Sequence, residues 1–313
     1  MNRVVARVVP YLAVSAAAIS WGTWGLVIRH VEAKSAMPAA LESTIVMGVI
    51  TLVCGAASVR DFSGSGGAAR SAHRRGWKEW AYVGWFGVGD MLNVLLFFAA
   101  YKLTIAVAVL THYMTPVLVA TTAPFVLGER MTARTAVAIG LAVAGLAVMI
   151  ARPSGTGDSA AVLASAALGL GSAVFYASNV LVNKFIVGAF STSEAMFWHG
   201  VAATLLGAAL VPRPAWTTMD PHAVAFLAAA AVGPGALGGL SFVWGLRRMP
   251  AAHASTLTLL EPLVSVLLGA AVLGERVGAR AILGGTLILV GAVAVVAPAR
   301  PAGSPAGGGG GRP

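Results

Sequence analysis

The chain has 313 residues, of which 58% are hydrophobic and 10% charged, with a formal net charge of +10. A soluble domain is about 45–50% apolar and about 25% charged, so the composition excludes a soluble globular protein. The positive balance does not indicate nucleic acid, because the 21 Lys and Arg residues lie almost wholly at the ends of apolar runs, where they orient spans and meet anionic headgroups.

The apolar runs are about 20 residues long, the length of a helix across a hydrocarbon core, and no alternation typical of a membrane barrel interrupts them. Ten spans are expected, at Val9–Ile28, Pro38–Val59, Trp80–Tyr101, Ile105–Leu127, Ala133–Ala151, Ala160–Val182, Glu194–Val211, His222–Gly245, Ala252–Leu273 and Ala279–Ala297. Residues 1–8 form a cytoplasmic N-terminus, and the first span runs on through Trp21 to Ile28, too long for a cleaved signal core. Segments on the N-terminal side of the membrane hold 14 Lys and Arg against 7 on the other side, which places both termini inside. The basic, Gly/Ser-rich loop Arg60–Lys78 is expected to be mobile and headgroup-associated, and the Pro/Gly-rich tail 298–313 to be disordered.

Several residues along these spans are polar enough to carry chemistry, and each has a plain packing alternative. Trp21 and Thr23 lie in the first span. Glu42, about one turn inside the second, is expected to snorkel to the headgroups, and the lone Cys54 offers neither a disulfide nor a cysteine metal site. The third span carries Gly84, Gly87 and Gly89, then Asp90, Asn93 and Phe97 along one helical face. In the fourth, His112 and Tyr113 precede Pro116, whose ring frees the carbonyl of His112, and His112 is placed to pair with Asp90 or relay a proton. The sixth adds Phe175, Tyr176, Ser178, Asn179 and Asn183; the seventh adds Trp198 and His199. The eighth is broken by Gly233, Pro234 and Gly235 and ends near Trp244. In the ninth, after His253, Glu261 precedes Pro262. A carboxylate at bilayer depth is costly and points to function by default, so Glu261 and Asp90 lead. Gly89, Pro116, Gly233, Pro234, Gly235 and Pro262 mark expected helix breaks, where transporter sites gather.

One stretch occurs twice. Val126–Arg134 reads VLGERMTAR and Val272–Arg280 reads VLGERVGAR, 146 residues apart, the same spacing as Pro116 and Pro262. Two units of five spans follow, 9–151 and 160–297, and the odd count inverts the second relative to the first. No Ser/His/Asp set, phosphate loop or metal-ligand cluster is legible, so no enzyme, cofactor or metal is expected.

These features together resemble the EamA domains of the drug/metabolite transporter superfamily. The resemblance rests on the proline-containing fourth span of each half ending in Gly-Glu (Gly128-Glu129, Gly274-Glu275), and on Trp21-Gly22 and Phe175-Tyr176-Ala177 in the first and sixth spans. It implies an all-α, ten-helix inverted-repeat carrier of the cytoplasmic membrane that moves small organic solutes, often outward, by alternating access. The substrate and membrane lipids are the expected partners, and protons are a candidate coupling ion. Thr115 stands where the second half has Glu261. The alternative function is a non-transporting membrane receptor or assembly subunit.

Overall fold

The structure is a computed structural model that describes residues 3–35, 37–59, 75–103, 105–150, 159–273 and 278–296. The expected loop at residues 60–74, the core of the second VLGER copy at 274–277 and the tail lie outside the described residues.

Apolar sequence with its backbone bonds satisfied internally gives helices throughout. The first span is two helices, α1 (Arg3–Trp21) and α2 (Trp24–Glu32), and the second is α3 (Ala39–Ala57). The third is α4 (Trp77–Leu103), the fourth α5 (Ile105–His112) with α6 (Thr115–Val126), and the fifth α7 (Ala133–Ile150). Then come α8 (Ser159–Phe185) and α9 (Thr192–Leu210). The eighth span joins α10 (Pro221–Ala230) to α11 (Gly238–Leu246) through a π-helical segment, Ala231–Leu237. The ninth is α12 (Ala251–Leu257) and α13 (Leu260–Leu273), and the last is α14 (Ala279–Val296). Seven of these stretches are long and apolar enough to cross a membrane, and Ala133–Val148 and Ile282–Val296 are shorter apolar helices. Among the described residues there is no strand, only the isolated bridge between Val187 and Phe190.

The duplication recurs in helix boundaries. Shifting α7 by 146 residues reproduces both ends of α14, and shifting α3 by 153 reproduces both ends of α9. Contacts between paired helices are reciprocal: a Cβ on Gly145 would meet the Gly284 carbonyl at 2.5 Å, and one on Gly291 would meet the Ala138 carbonyl at 2.6 Å. Small residues there let α7 and α14 approach backbone to backbone. Thr51 of α3 likewise lies 3.5 Å, oxygen to oxygen, from Thr204 of α9, its own counterpart.

The third span differs from expectation. α4 runs unbroken through Gly84, Gly87 and Gly89, because two of those glycines serve helix packing. A Cβ at Gly87 would lie 2.3 Å from the His199 carbonyl, and one at Gly89 would lie 2.6 Å from Asn179 Oδ1. Glu42 is also corrected: it is 3% exposed in the first turn of α3 and does not snorkel. There the N-terminal end of the helix dipole favours its charge.

The Gly128-Glu129 pair of the first VLGER copy holds the two halves together. Gly128 has φ +67°, the left-handed turn that ends a helix. Glu129 Oε2 then accepts from the Ala251 backbone N–H at 2.7 Å, capping α12, and Oε1 pairs with Lys184 at 3.3 Å. Lys184 also donates to the Met249 carbonyl. On the same side of the bundle Arg75 grips both oxygens of Glu194, at 3.1 and 3.0 Å, and Arg247 donates to the Phe190 carbonyl at 3.0 Å. A layer of charge-assisted contacts therefore ties together that end of the helices.

Candidate functional site

Four spans are interrupted midway, and the interruptions of the first, eighth and ninth meet. α1 stops at Trp21, whose indole N–H donates to the Pro234 carbonyl at 2.8 Å inside the π segment. Gly22 follows, and a Cβ there would strike Val264 at 2.6 Å and approach the Glu261 carbonyl at 3.0 Å. Only glycine allows that backbone approach, and Ser265 adds a 3.0 Å hydrogen bond to the Gly22 carbonyl. In the fourth span the chain turns at Tyr113 and Met114, between α5 and α6. The interruptions of the first, eighth and ninth spans are thus joined through Trp21 and Gly22, with the Glu261 carbonyl against Gly22.

Local sequence explains the breaks. Pro116 and Pro262 both fall in the first turn of the half-helix they begin, where a missing N–H leaves no bond broken. The carbonyls that the prolines free are not open ligands, contrary to the expectation for this region. Thr115 Oγ1 donates to the His112 carbonyl at 2.8 Å, and the Glu261 N–H donates to the Thr258 carbonyl at 3.0 Å.

The second acidic residue belongs to a chain of side chains from four helices. His199 Nε2 lies 2.9 Å from Asp90 Oδ2, and Asn93 Nδ2 reaches Asp90 Oδ1 at a long 3.4 Å. Ser172 Oγ lies 2.8 Å from Asn93 Oδ1 and 2.9 Å from the Asn93 carbonyl, and His112 Nδ1 lies 2.8 Å from Ser172 Oγ. Both Asn93 oxygens are acceptors, so the single Ser172 proton goes to them and His112 Nδ1 is the donor to Ser172. The expected Asp90–His112 pair is therefore indirect: Asn93 and Ser172 join the two, and His199 is the direct partner of Asp90. His112 is also boxed by rings, with Phe97 at 4.4 Å, Tyr113 at 4.9 Å and Tyr176 at 5.6 Å between centroids.

Asp90 keeps 23% of its side chain accessible while His199 keeps 2%, so the open side of the pair is the carboxylate. Asn179 is 3% exposed, and neither its Oδ1 nor its Nδ2 has a hydrogen-bond partner. Among the described residues no Lys or Arg pairs with either acid, and no group of three or more His, Cys, Asp or Glu could hold a metal.

Other expected residues fall elsewhere. Trp244 sits under the guanidinium of Arg248, 4.1 Å from its ring, at the end of α11 and away from the acids. Trp198 packs edge-on against Trp80, while His253 bridges Tyr11 at 2.9 Å and Thr135 at 3.2 Å. Nothing in the sequence marks Ser172 for this position, which the fold places between His112 and Asn93. Ser172, Tyr176, Asn179 and Asn183 follow one another at spacings of four, three and four on α8, a single helical face that marks the polar stripe.

The model of the EamA-like transporter family matches residues 9–151 and 163–297, most of the chain in two copies. The chain belongs to the EamA-like transporter family. Its membership makes it a multi-pass membrane protein of a transporter family within the drug/metabolite superfamily. No curated protein sequence matches it. Among solved structures, one described only as the crystal structure of a protein shares the fold of this EamA-like chain. The TM-score is 0.77 at 20% identity, covering 92% of this chain and 98% of the other.

Proposed function

We propose that the chain is a secondary active transporter that moves a small organic solute outward across the cytoplasmic membrane by alternating access. In this reading ten spans form two inverted five-helix repeats with both termini in the cytoplasm. The observation that carries it is the meeting of the interrupted first, eighth and ninth spans beside Glu261. Broken helices expose backbone and side-chain polar groups at bilayer depth, and such groups are tolerated only around a cavity or in protein. The family supports transport, the reciprocal contacts of α7 with α14 support the two-fold relation, and the excess of basic residues supports the orientation.

The solute site in this reading is built from Asp90, Asn93, His112, Tyr113, Asn179 and Glu261, with Trp21 fixing the junction of the first and eighth spans. Gly233, Pro234 and Gly235 in the π segment and Pro116 and Pro262 at the half-helix starts allow the two sides to rock. The contacts of Glu129 with Lys184 and Arg75 with Glu194 close one end and part when the other end closes. Protons released at Glu261 or Asp90 couple the movement to the membrane gradient.

The test is flux in proteoliposomes under an imposed pH gradient, using solutes chosen by thermal shift. Glu261→Gln and Asp90→Asn are expected to remain folded and to lose gradient-driven flux by about tenfold or more, the scale of one charge-assisted interaction. Undiminished flux in both variants overturns proton coupling. Binding without flux for every solute favours a receptor instead.

A further inference from the structure

We infer that Arg247, just beyond α11, is the core of an oxyanion site, where the side edge of its guanidinium takes a phosphate or carboxylate at the end of the bundle tied by ion pairs. The site lies outside the spans and does not depend on the transporter reading above.

The guanidinium is used on one side only. Arg247 Nη1 donates to the Phe190 carbonyl at 3.0 Å, while Nε and Nη2 are enclosed and have no hydrogen-bond partner. Those two atoms form the edge whose parallel N–H bonds meet a carboxylate or phosphate in a fork. Enclosed donors are nearly always paired, and a buried charge without a partner is costly; one oxyanion satisfies both atoms at once.

The neighbouring charges leave Arg247 unmatched. Arg75 Nε donates to the adjacent Ala189 carbonyl at 2.9 Å, and its guanidinium lies 4.6 Å from the centre of the Phe190 ring, so two guanidinium groups bracket one peptide. Arg75 is met by Glu194 and Lys184 by Glu129, but no carboxylate among the described residues pairs with Arg247. Arg248 adds another positive charge, 4.1 Å over the Trp244 ring with Nη1 on the Trp244 carbonyl at 2.7 Å. Burial first, and Arg248 second, pull the Arg247 guanidinium down to about 10, which still leaves it charged at neutral pH. The apolar stretch Pro221–Leu246 ends one residue earlier, at the level where lipid headgroups meet basic side chains. A headgroup phosphate and a free phosphate or carboxylate present the same oxygens, so the experiment separates the two sources.

Full-length protein is unfolded thermally in neutral detergent with sodium phosphate, acetate or chloride, and in nanodiscs of phosphatidylcholine with and without phosphatidylglycerol. Matched ionic strength removes the screening of surface charges from the comparison. Phosphate, acetate or phosphatidylglycerol is expected to raise Tm by about 2 °C or more over chloride or phosphatidylcholine alone. A rise confined to the nanodiscs assigns the site to a headgroup, and a rise with phosphate or acetate assigns it to a soluble anion. Arg247→Lys keeps the charge but loses the fork, and is expected to lose most of the rise, whereas Arg248→Gln keeps it. Arg247→Met keeps the apolar stem and removes a buried charge whose loss is tolerated, so it keeps the test valid if Arg247→Lys does not fold; it is expected to lose the whole rise. No rise in either series for the unaltered protein overturns the inference. A full rise in Arg247→Lys or Arg247→Met, or an equal loss in Arg248→Gln, overturns it as well.

Discussion

Gly87 and Gly89 lie two residues apart on α4 and meet neighbours of different stiffness. A Cβ at Gly87 would press on the His199 backbone carbonyl at 2.3 Å, with Ala202 Cβ also at 2.7 Å. The neighbour of Gly89 is the end of the Asn179 side chain, which can rotate. Gly87→Ala is therefore expected to lower stability by about 1–3 kcal/mol, the range for overpacking a tight contact, and Gly89→Ala by less. Thermal unfolding of purified protein reads the difference, and equal losses would contradict the packing argument. At this scale the acids were legible, because Glu261 and Asp90 stand out in an apolar sequence. Ser172 was not, since a serine in a membrane helix usually bonds its own backbone; only the fold brings it between His112 and Asn93. Gly89 was read as a break for the same reason, because a glycine that accommodates a neighbouring helix looks identical in sequence.

The half-helices reveal how proline breaks are made tolerable. Proline removes a donor at both Pro116 and Pro262, and each half replaces it with a different group: the Thr115 hydroxyl in the first, the Glu261 backbone N–H in the second. Thr115 is fully buried. Thr115→Val, which keeps the shape and removes the hydroxyl, is expected to cost about 1 kcal/mol through the unpaired His112 carbonyl, and Thr115→Ser to restore it. Equal unfolding temperatures for all three proteins would contradict that role. The seven helices long and apolar enough to cross a membrane were readable from apolar runs, and the break at Ala231–Leu237 from Gly233-Pro234-Gly235. The interruption at Gly22 was not, because one glycine in a helix carries no local mark; it is set by the approach of Val264 and Glu261 from the ninth span.

The two copies that the family model matches were legible from the 146-residue repeat, since duplicated sequence folds into duplicated helices. The departures from symmetry hold the function proposed here. α4 and α8 are continuous where their counterparts, the eighth and first spans, are broken. Thr115 stands opposite Glu261, and Glu129 of the first half reaches across to cap α12 of the second. One end of the bundle is tied by ion pairs while Glu261 and Asp90 lie at mid-span, an arrangement expected of a carrier in one of its two states. The most direct test is solute counterflow: vesicles loaded with an unlabelled solute that binds the protein are diluted into a trace of the labelled form, with no ion gradient. A carrier that alternates between two faces accumulates label transiently above equilibrium, and Glu261→Gln alters that overshoot. A protein that binds the solute yet shows no overshoot in any such experiment would contradict the account.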